Sequence, residues 1–254
     1  MVPRPRLRPV SGVAALVVAA LRAEVAPLVR RLDGRRRGAA GGVRWVRGLV
    51  GGRSVVVAWT GDGAACAGRG LEVLLGRFRP ARLVIAGVAG ALSPELAAGS
   101  LIAARRVYDR DRPAPDPDAG LVAAAGRCGV RPGVVLSSPD VAVTADDKAQ
   151  LWRRLAQPPA AAVDLETAAF AGVAAAQGVP YLALRAISDT AAESLPLDFN
   201  RLRDRRGRVS RVAVIARTLR RPSLVPALFA LQRRVSRCAE HLAAAVEAVL
   251  RETT

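Results

Sequence analysis

Histidine and lysine each occur once in this chain, and cysteine three times. His241 lies in an alanine-rich stretch near the C-terminus and reads as a surface or packing residue, so catalytic triads built on histidine are excluded. Cys66, Cys128 and Cys238 are odd in number and widely spaced. Neither a metal-ligand pattern nor a disulfide framework follows from them, which fits a reducing cytoplasm. Aromatic residues make up only 4% of the chain, and the sequence carries no nucleic-acid-binding module. Stacking on bases along a strand is therefore excluded, and no nucleic-acid partner is expected. No apolar run reaches the roughly 18 residues that cross a bilayer. Because Lys148 is the only lysine, arginine carries nearly all the positive charge behind a formal net charge of +18. The plain reading is an arginine-rich solvated surface; the sharper one is attraction to phosphate or anionic lipid.

What is present is apolar: 51% of 254 residues are hydrophobic, enough for one large α/β domain over residues 11–254. Residues 1–10 form a basic Pro/Arg-rich tail. With Arg4, Arg6 and Arg8 ahead of an apolar stretch it imitates a secretion signal, but Arg22 and Glu24 follow at once, so the expectation is a tail and then a buried strand. That strand covers residues 12–19, and a helix runs from 21 to about 32. Residues 33–38 read as a charged turn. Val43–Val50 and Arg53–Trp59 form a hairpin around Gly51-Gly52. Residues 60–65, Thr-Gly-Asp-Gly-Ala-Ala, make a glycine-rich turn into a helix from about 64 to 78. Backbone N–H groups in such a turn approach an anion or a sugar. The third glycine of the dinucleotide pattern is missing, and a simple tight turn explains the residues equally well. Further strands are expected at 82–86, 101–104 and 133–137. A surface loop is expected at 109–118, and a helix at 145–155 with Thr144 as N-cap. From about residue 200 the chain reads as an arginine-rich helical extension, with helices at 209–219 and 224–250. Leu224, Leu228, Leu231 and Val235, with Arg233, Arg234 and Arg237, make the latter amphipathic. It is either an outer helix packed on the domain or a cationic face laid on anionic lipid.

Two carboxylates organise the middle of the chain. Glu166 opens a helix of small residues that ends near Gly178 and Pro180. The strand that follows, 181–187, carries Ser188 and Asp189 at its carboxyl end. A helix crossing a parallel sheet runs antiparallel to the strands, so Glu166 and Asp189 belong at one sheet edge, where open α/β sheets bind ligands. Glu24, in the first turn after the first strand, belongs at that same edge. Each of these residues has a plainer role open to it: helix capping for Glu24 and Glu166, and a loop position for Asp189.

Four segments together resemble the nucleoside phosphorylase/nucleosidase superfamily, and within it the methylthioadenosine/adenosylhomocysteine nucleosidases. Val163-Asp164-Leu165-Glu166-Thr167-Ala168-Ala169 is similar to the family's V-E-M-E-(S/T/A)-A-A helix start. Arg185-Ala186-Ile187-Ser188-Asp189-Thr190-Ala191 is similar to R-(A/S)-I-S-D-x-A. Ala20-Leu21-Arg22-Ala23-Glu24-Val25 is similar to A-M-x-E-E-V. Ala86-Gly87-Val88-Ala89-Gly90-Ala91-Leu92 with Gly99-Ser100-Leu101-Ile102 is similar to the family's glycine loop and next strand. A nearer likeness, in 21–24, 138–143 and 219–228, is to hopanoid-associated phosphorylases and adenosylhopane nucleosidases.

The resemblance implies a three-layer α/β/α sandwich with a central mixed sheet, a homodimer, and no metal or organic cofactor. It implies an N-glycosidic hydrolase that releases adenine, with Asp189 protonating the purine at N7. Glu166 would hold the ribose hydroxyls and Glu24 the attacking water. The resemblance also puts Gly61, Gly87, Val88, Ala142, Val143, Leu165 and Ser188 against the nucleoside. Two departures bear on the substrate. Val88 stands where the family has serine, and Ala142 where it has an aromatic that stacks on the base. Both favour a wider, greasier pocket and a bulky apolar 5′ group. Phosphate as nucleophile, giving a phosphorylase, is the alternative, with Arg22, Arg69 and Arg185 as unsorted candidates to bind it. A non-catalytic nucleoside-binding or membrane-associated protein on the same fold is the third.

Overall fold

The structure is a computed structural model that describes residues 10–202 and 222–253. Its strands are β1 (Val10–Val13), β2 (Ala15–Ala19), β3 (Asp33–Ala40), β4 (Val43–Val50), β5 (Arg53–Trp59), β6 (Phe78–Pro80), β7 (Leu83–Ala91), β8 (Leu101–Asp109), β9 (Arg112–Pro113), β10 (Arg131–Ser137), β11 (Ala161–Asp164) and β12 (Tyr181–Asp189). Its helices are α1 (Arg22–Arg31), α2 (Ala64–Arg77), α3 (Ala119–Arg127), α4 (Ala145–Arg154), α5 (Thr167–Ala176) and α6 (Leu224–Glu252).

Period-two burial explains the layering. In β12, Tyr181, Ala183 and Ile187 pack into one apolar cluster with Leu71 and Leu74 of α2 and Phe170 and Ala174 of α5. The alternating Leu182, Leu184 and Ala186 pack into the other, with Val25 and Leu28 of α1, Leu121 of α3, and Leu242 and Val246 of α6. Both faces of the sheet are therefore covered, and the architecture is the expected α/β/α sandwich. The large sheet is mixed, in the order β11-β10-β8-β12-β7-β2-β5-β4-β3, with β9 on β8. β11 also pairs antiparallel with the end of β7, through Ala162↔Ala91 and Val163↔Gly90. That pairing curls one half of the sheet and brings the start of α5 to the carboxyl ends of β7 and β12.

Two local expectations change, and one helix is added. Residues 33–38 are not a turn: Asp33–Ala40 is an edge strand, antiparallel to β4. Charged side chains there suit an edge whose outer side stays in water; the turn is Gly41-Gly42, both at positive φ, 52° and 85°. The first strand is two strands, interrupted at Ala14 between Val13 and Ala15. Helix α3 stands in a stretch for which the sequence offers no expectation, and Asp118 caps it by accepting from Leu121 N at 2.9 Å. The Thr144 cap is present, with Asp147 completing a capping box. The tail at 1–9 and the helix expected at 209–219 lie outside the described residues. No helix among the described residues is long and apolar enough to cross a membrane.

Helix α6 has two halves. Cys238 to Leu250 bury one side as part of the α layer, whereas Val225 and Phe229 are 50% and 61% exposed. His241 is exposed on this helix.

Candidate active site

A bulge aims the first carboxylate. β12 pairs with β7 in parallel register from Tyr181↔Leu83 to Ile187↔Ala89, and the register then shifts so that Asp189 meets Gly90. The extra residue, Ser188, re-aims the side chain that follows. Gly90 provides the room, since a Cβ there would stand 3.0 Å from Asp189 Oδ2. Ser188 Oγ donates to Asp189 Oδ1 at 2.5 Å. Oδ2 accepts from the ammonium of Lys148, which reaches in from α4 with none of its surface exposed.

Glu166 is the N-cap residue of α5, and its Oε1 accepts from Gly63 N at 2.8 Å. The glycine-rich turn at 60–65 thus does offer a backbone N–H to an acceptor, and the acceptor is the chain's own Glu166 carboxyl. Burial pushes the Glu166 carboxyl well above the usual range, and the neighbouring Asp164 carboxylate pushes it the same way. Glu24 accepts from Leu21 N at 2.7 Å and Val88 N at 2.9 Å. It caps α1 and also ties α1 to β7. Burial raises its carboxyl too, against the lowering effect of those two N–H groups.

Glu24, Glu166 and Asp189 line one cavity of about 260 Å³ at the carboxyl edge of the sheet. Val88, Ala142, Leu165 and Ser188 lie on its wall as well. Gly61, Gly87 and Val143 do not. A Cβ on Gly87 would come within 3.1 Å of Glu24 Oε1 and 3.2 Å of the Arg185 guanidinium, so this glycine makes room for the two side chains behind the wall. Gly61, at φ 104°, turns the chain towards α2. The Val143 carbonyl accepts from Leu195 N at 2.7 Å, fixing the loop that carries Leu195 over the cavity.

The sequence reading missed part of the wall. Leu195, Phe199, Leu231 and Val235 make an apolar side. The last two come from the amphipathic stripe of α6, whose spacing alone cannot distinguish a packing face from a cavity wall. Asp62 and Asp140 add acidic groups. Asp164, two residues before Glu166 at the end of β11, serves mainly as a buried anchor: Arg185 Nε donates to its Oδ2 at 2.8 Å and Ser137 Oγ to its Oδ1 at 2.7 Å. Arg185 is thereby committed below the site. Its remaining contacts are the carbonyls of Ile85 and Leu184 and the Thr167 hydroxyl. Arg22 and Arg69 are exposed. Among the described residues, no cationic side chain lines the cavity. A larger cavity of about 760 Å³, between the starts of α2 and α5 and the turn at Asp109–Arg112, adjoins it through Asp62 and Leu165.

Residues 14–220 match the phosphorylase superfamily. The chain belongs to that family. Among curated members, the 5′-methylthioadenosine/S-adenosylhomocysteine nucleosidase of Shewanella halifaxensis is 29% identical over 221 residues, covering 79% of this chain and 96% of that protein. The corresponding enzyme of Shewanella sediminis is 28% identical over the same span. Among solved structures, the S-adenosylhomocysteine nucleosidase of Streptococcus pyogenes superposes with a TM-score of 0.76 at 18% identity, covering 96% of this chain and 99% of that one. The futalosine hydrolase of Helicobacter pylori superposes with 0.74 at 19% identity, covering 95% and 98%. At such identities the superposition speaks for the superfamily fold alone.

Proposed function

We propose that the protein hydrolyses the N-glycosidic bond of an adenine nucleoside that carries an apolar 5′ substituent. The observation that carries this reading is the composition of one cavity: four buried carboxylates, Glu24, Asp164, Glu166 and Asp189, share its lining with the apolar Leu195, Phe199, Leu231 and Val235. Purines leave poorly until they gain a proton, and the sugar passes through an oxocarbenium-like state that nearby carboxylates stabilise. Asp189 protonates N7. Glu166 accepts hydrogen bonds from the ribose hydroxyls. Glu24, whose carboxyl is raised above the ordinary range by burial, takes the proton of the attacking water.

Phosphorolysis is the second reading, and the acid-lined cavity weighs against it. A phosphate dianion beside these carboxylates needs a cation, and Arg185, the buried candidate, is paired with Asp164. The expected result is adenine release at the same rate with and without phosphate, with free ribose derivative as product. A strict phosphate requirement with a ribose 1-phosphate product contradicts it.

The 5′ group is a hydrophobe, and an adenosine bearing a polycyclic hydrocarbon such as hopane belongs to the class that fits. A substrate of that kind resides in a membrane, and the half of α6 that rims the cavity suits a lipid surface. Val225 and Phe229 are exposed there beside Arg233 and Arg237. The protein, acting as a cytoplasmic homodimer, docks on anionic lipid by this face. In co-sedimentation at low salt it is expected to pellet with phosphatidylglycerol vesicles and not with phosphatidylcholine vesicles. Equal recovery in both supernatants contradicts the docking.

A further inference from the structure

The only lysine in the chain is fully buried and spends all of itself on the candidate acid and its loop. Lys148 Nζ donates to Asp189 Oδ2, to the Thr190 carbonyl at 2.8 Å and to the Glu193 carbonyl at 2.8 Å. Those are three acceptors for the three donors of an ammonium. A buried ion pair is a weak device for stability, because desolvation offsets most of the attraction. Stability is therefore a poor reason for placing one here. An ammonium differs from the arginines used elsewhere in this chain in one chemical respect: it can release a proton, and a guanidinium does not.

The geometry points to Lys148 as the positioning residue and proton reservoir of Asp189. This rests on the hydrolase reading above and deepens it. As the C1′–N9 bond breaks, its electron pair moves onto the base. Asp189, a carboxylate beside the Lys148 ammonium, takes a proton from Lys148 at Oδ2 and passes it to N7, leaving Lys148 as a neutral amine. Water gives hydroxide to C1′ and its other proton to Glu24, and when adenine leaves, that proton returns through bulk water to the Lys148 amine. The sum is nucleoside plus water giving adenine and the free ribose derivative. Lys148 also fixes where Asp189 points. Its two carbonyl bonds hold the 190–193 loop, and that loop is held from the other side by Arg234 of α6, whose Nη1 lies 2.6 Å from Glu193 Oε1.

Two substrates and two variants test this. Lys148→Met should lower adenine release by about 10²–10³-fold, a general-acid contribution. It should leave cleavage of a 5′-alkylthio 4-nitrophenyl riboside, whose leaving group needs no proton, within about threefold of wild type. Equal losses on both substrates, or none on either, overturn the assignment. A double variant, Lys148→Met with Asp189→Asn, removes both charges and keeps the test alive if Lys148→Met alone does not fold. Its rate should equal that of Asp189→Asn, because residues acting as one unit are not additive. A further tenfold fall overturns it. Wild-type protein that releases no adenine rejects the hydrolase reading itself. Wild-type release with an unimpaired Lys148→Met rejects only the role of Lys148.

Discussion

Asp189→Asn lowers kcat for adenine release by about 10²–10⁴-fold, the range that a positioned general acid contributes. The amide keeps the shape and can still accept from Ser188 Oγ, which now donates at 2.5 Å, but it has no proton to give N7. The same variant is also expected to be less stable. Asp189 and Lys148 are 4% and 0% exposed, and removing one member of a buried pair leaves the other charge without its partner, at a cost of about 3–5 kcal/mol. For a domain of this size that lowers the melting temperature by roughly 10 °C. The assay therefore belongs well below the transition, with folding checked by circular dichroism. Activity within tenfold of wild type in a folded sample removes Asp189 from the chemistry.

Glu24→Gln is expected to lower kcat by about 10²–10³-fold, because it removes the base that takes the proton of the attacking water. Its signature lies in the pH profile. Burial raises the Glu24 carboxyl above the ordinary range, and only the ionised form is a base. Wild-type kcat/KM is therefore lost as pH falls through that raised value, at a less acidic pH than an exposed glutamate would give. The glutamine variant loses this acid limb together with its rate. A residual rate that keeps the wild-type acid limb assigns the base to another group. The two variants also separate by leaving group: an activated leaving group rescues Asp189→Asn and does nothing for Glu24→Gln.

Much of this site is legible in the sequence because it depends on topology. A helix that runs back along the sheet before the strand ending with Asp189 puts its first residue, Glu166, at that strand's carboxyl edge. This holds although β11 before α5 runs antiparallel to β12, and the structure brings both residues to the cavity with Glu24. The residues that were missed depend on register and on distant packing. The bulge at Ser188 follows from how β12 pairs with β7, which no local pattern encodes. Lys148 lies on a helix whose other residues are mostly exposed. Its spacing marks it as a surface lysine, and only the fold carries it under Asp189. The stripe of α6 shows the same limit. Leu231 and Val235 have the periodicity of a packed face, and the part they pack against is a cavity. The edge strand at Asp33–Ala40 was hidden by its arginines, which fit a turn and an exposed edge equally well.

The assignment of a greasy 5′ site rests on Leu195, Phe199, Leu231 and Val235 lining the same cavity of about 260 Å³ as the carboxylates, with Val88 and Ala142 on its wall. The most direct measurement is adenine release by the wild-type protein from a series of 5′-alkylthioadenosines of increasing chain length, in phosphate-free buffer. The expected result is turnover across the series, with kcat/KM rising as methylenes are added, each extra buried group contributing about 0.8 kcal/mol or roughly fourfold until the wall is filled. The absence of adenine from every member, or kcat/KM that falls from methyl onward, contradicts it.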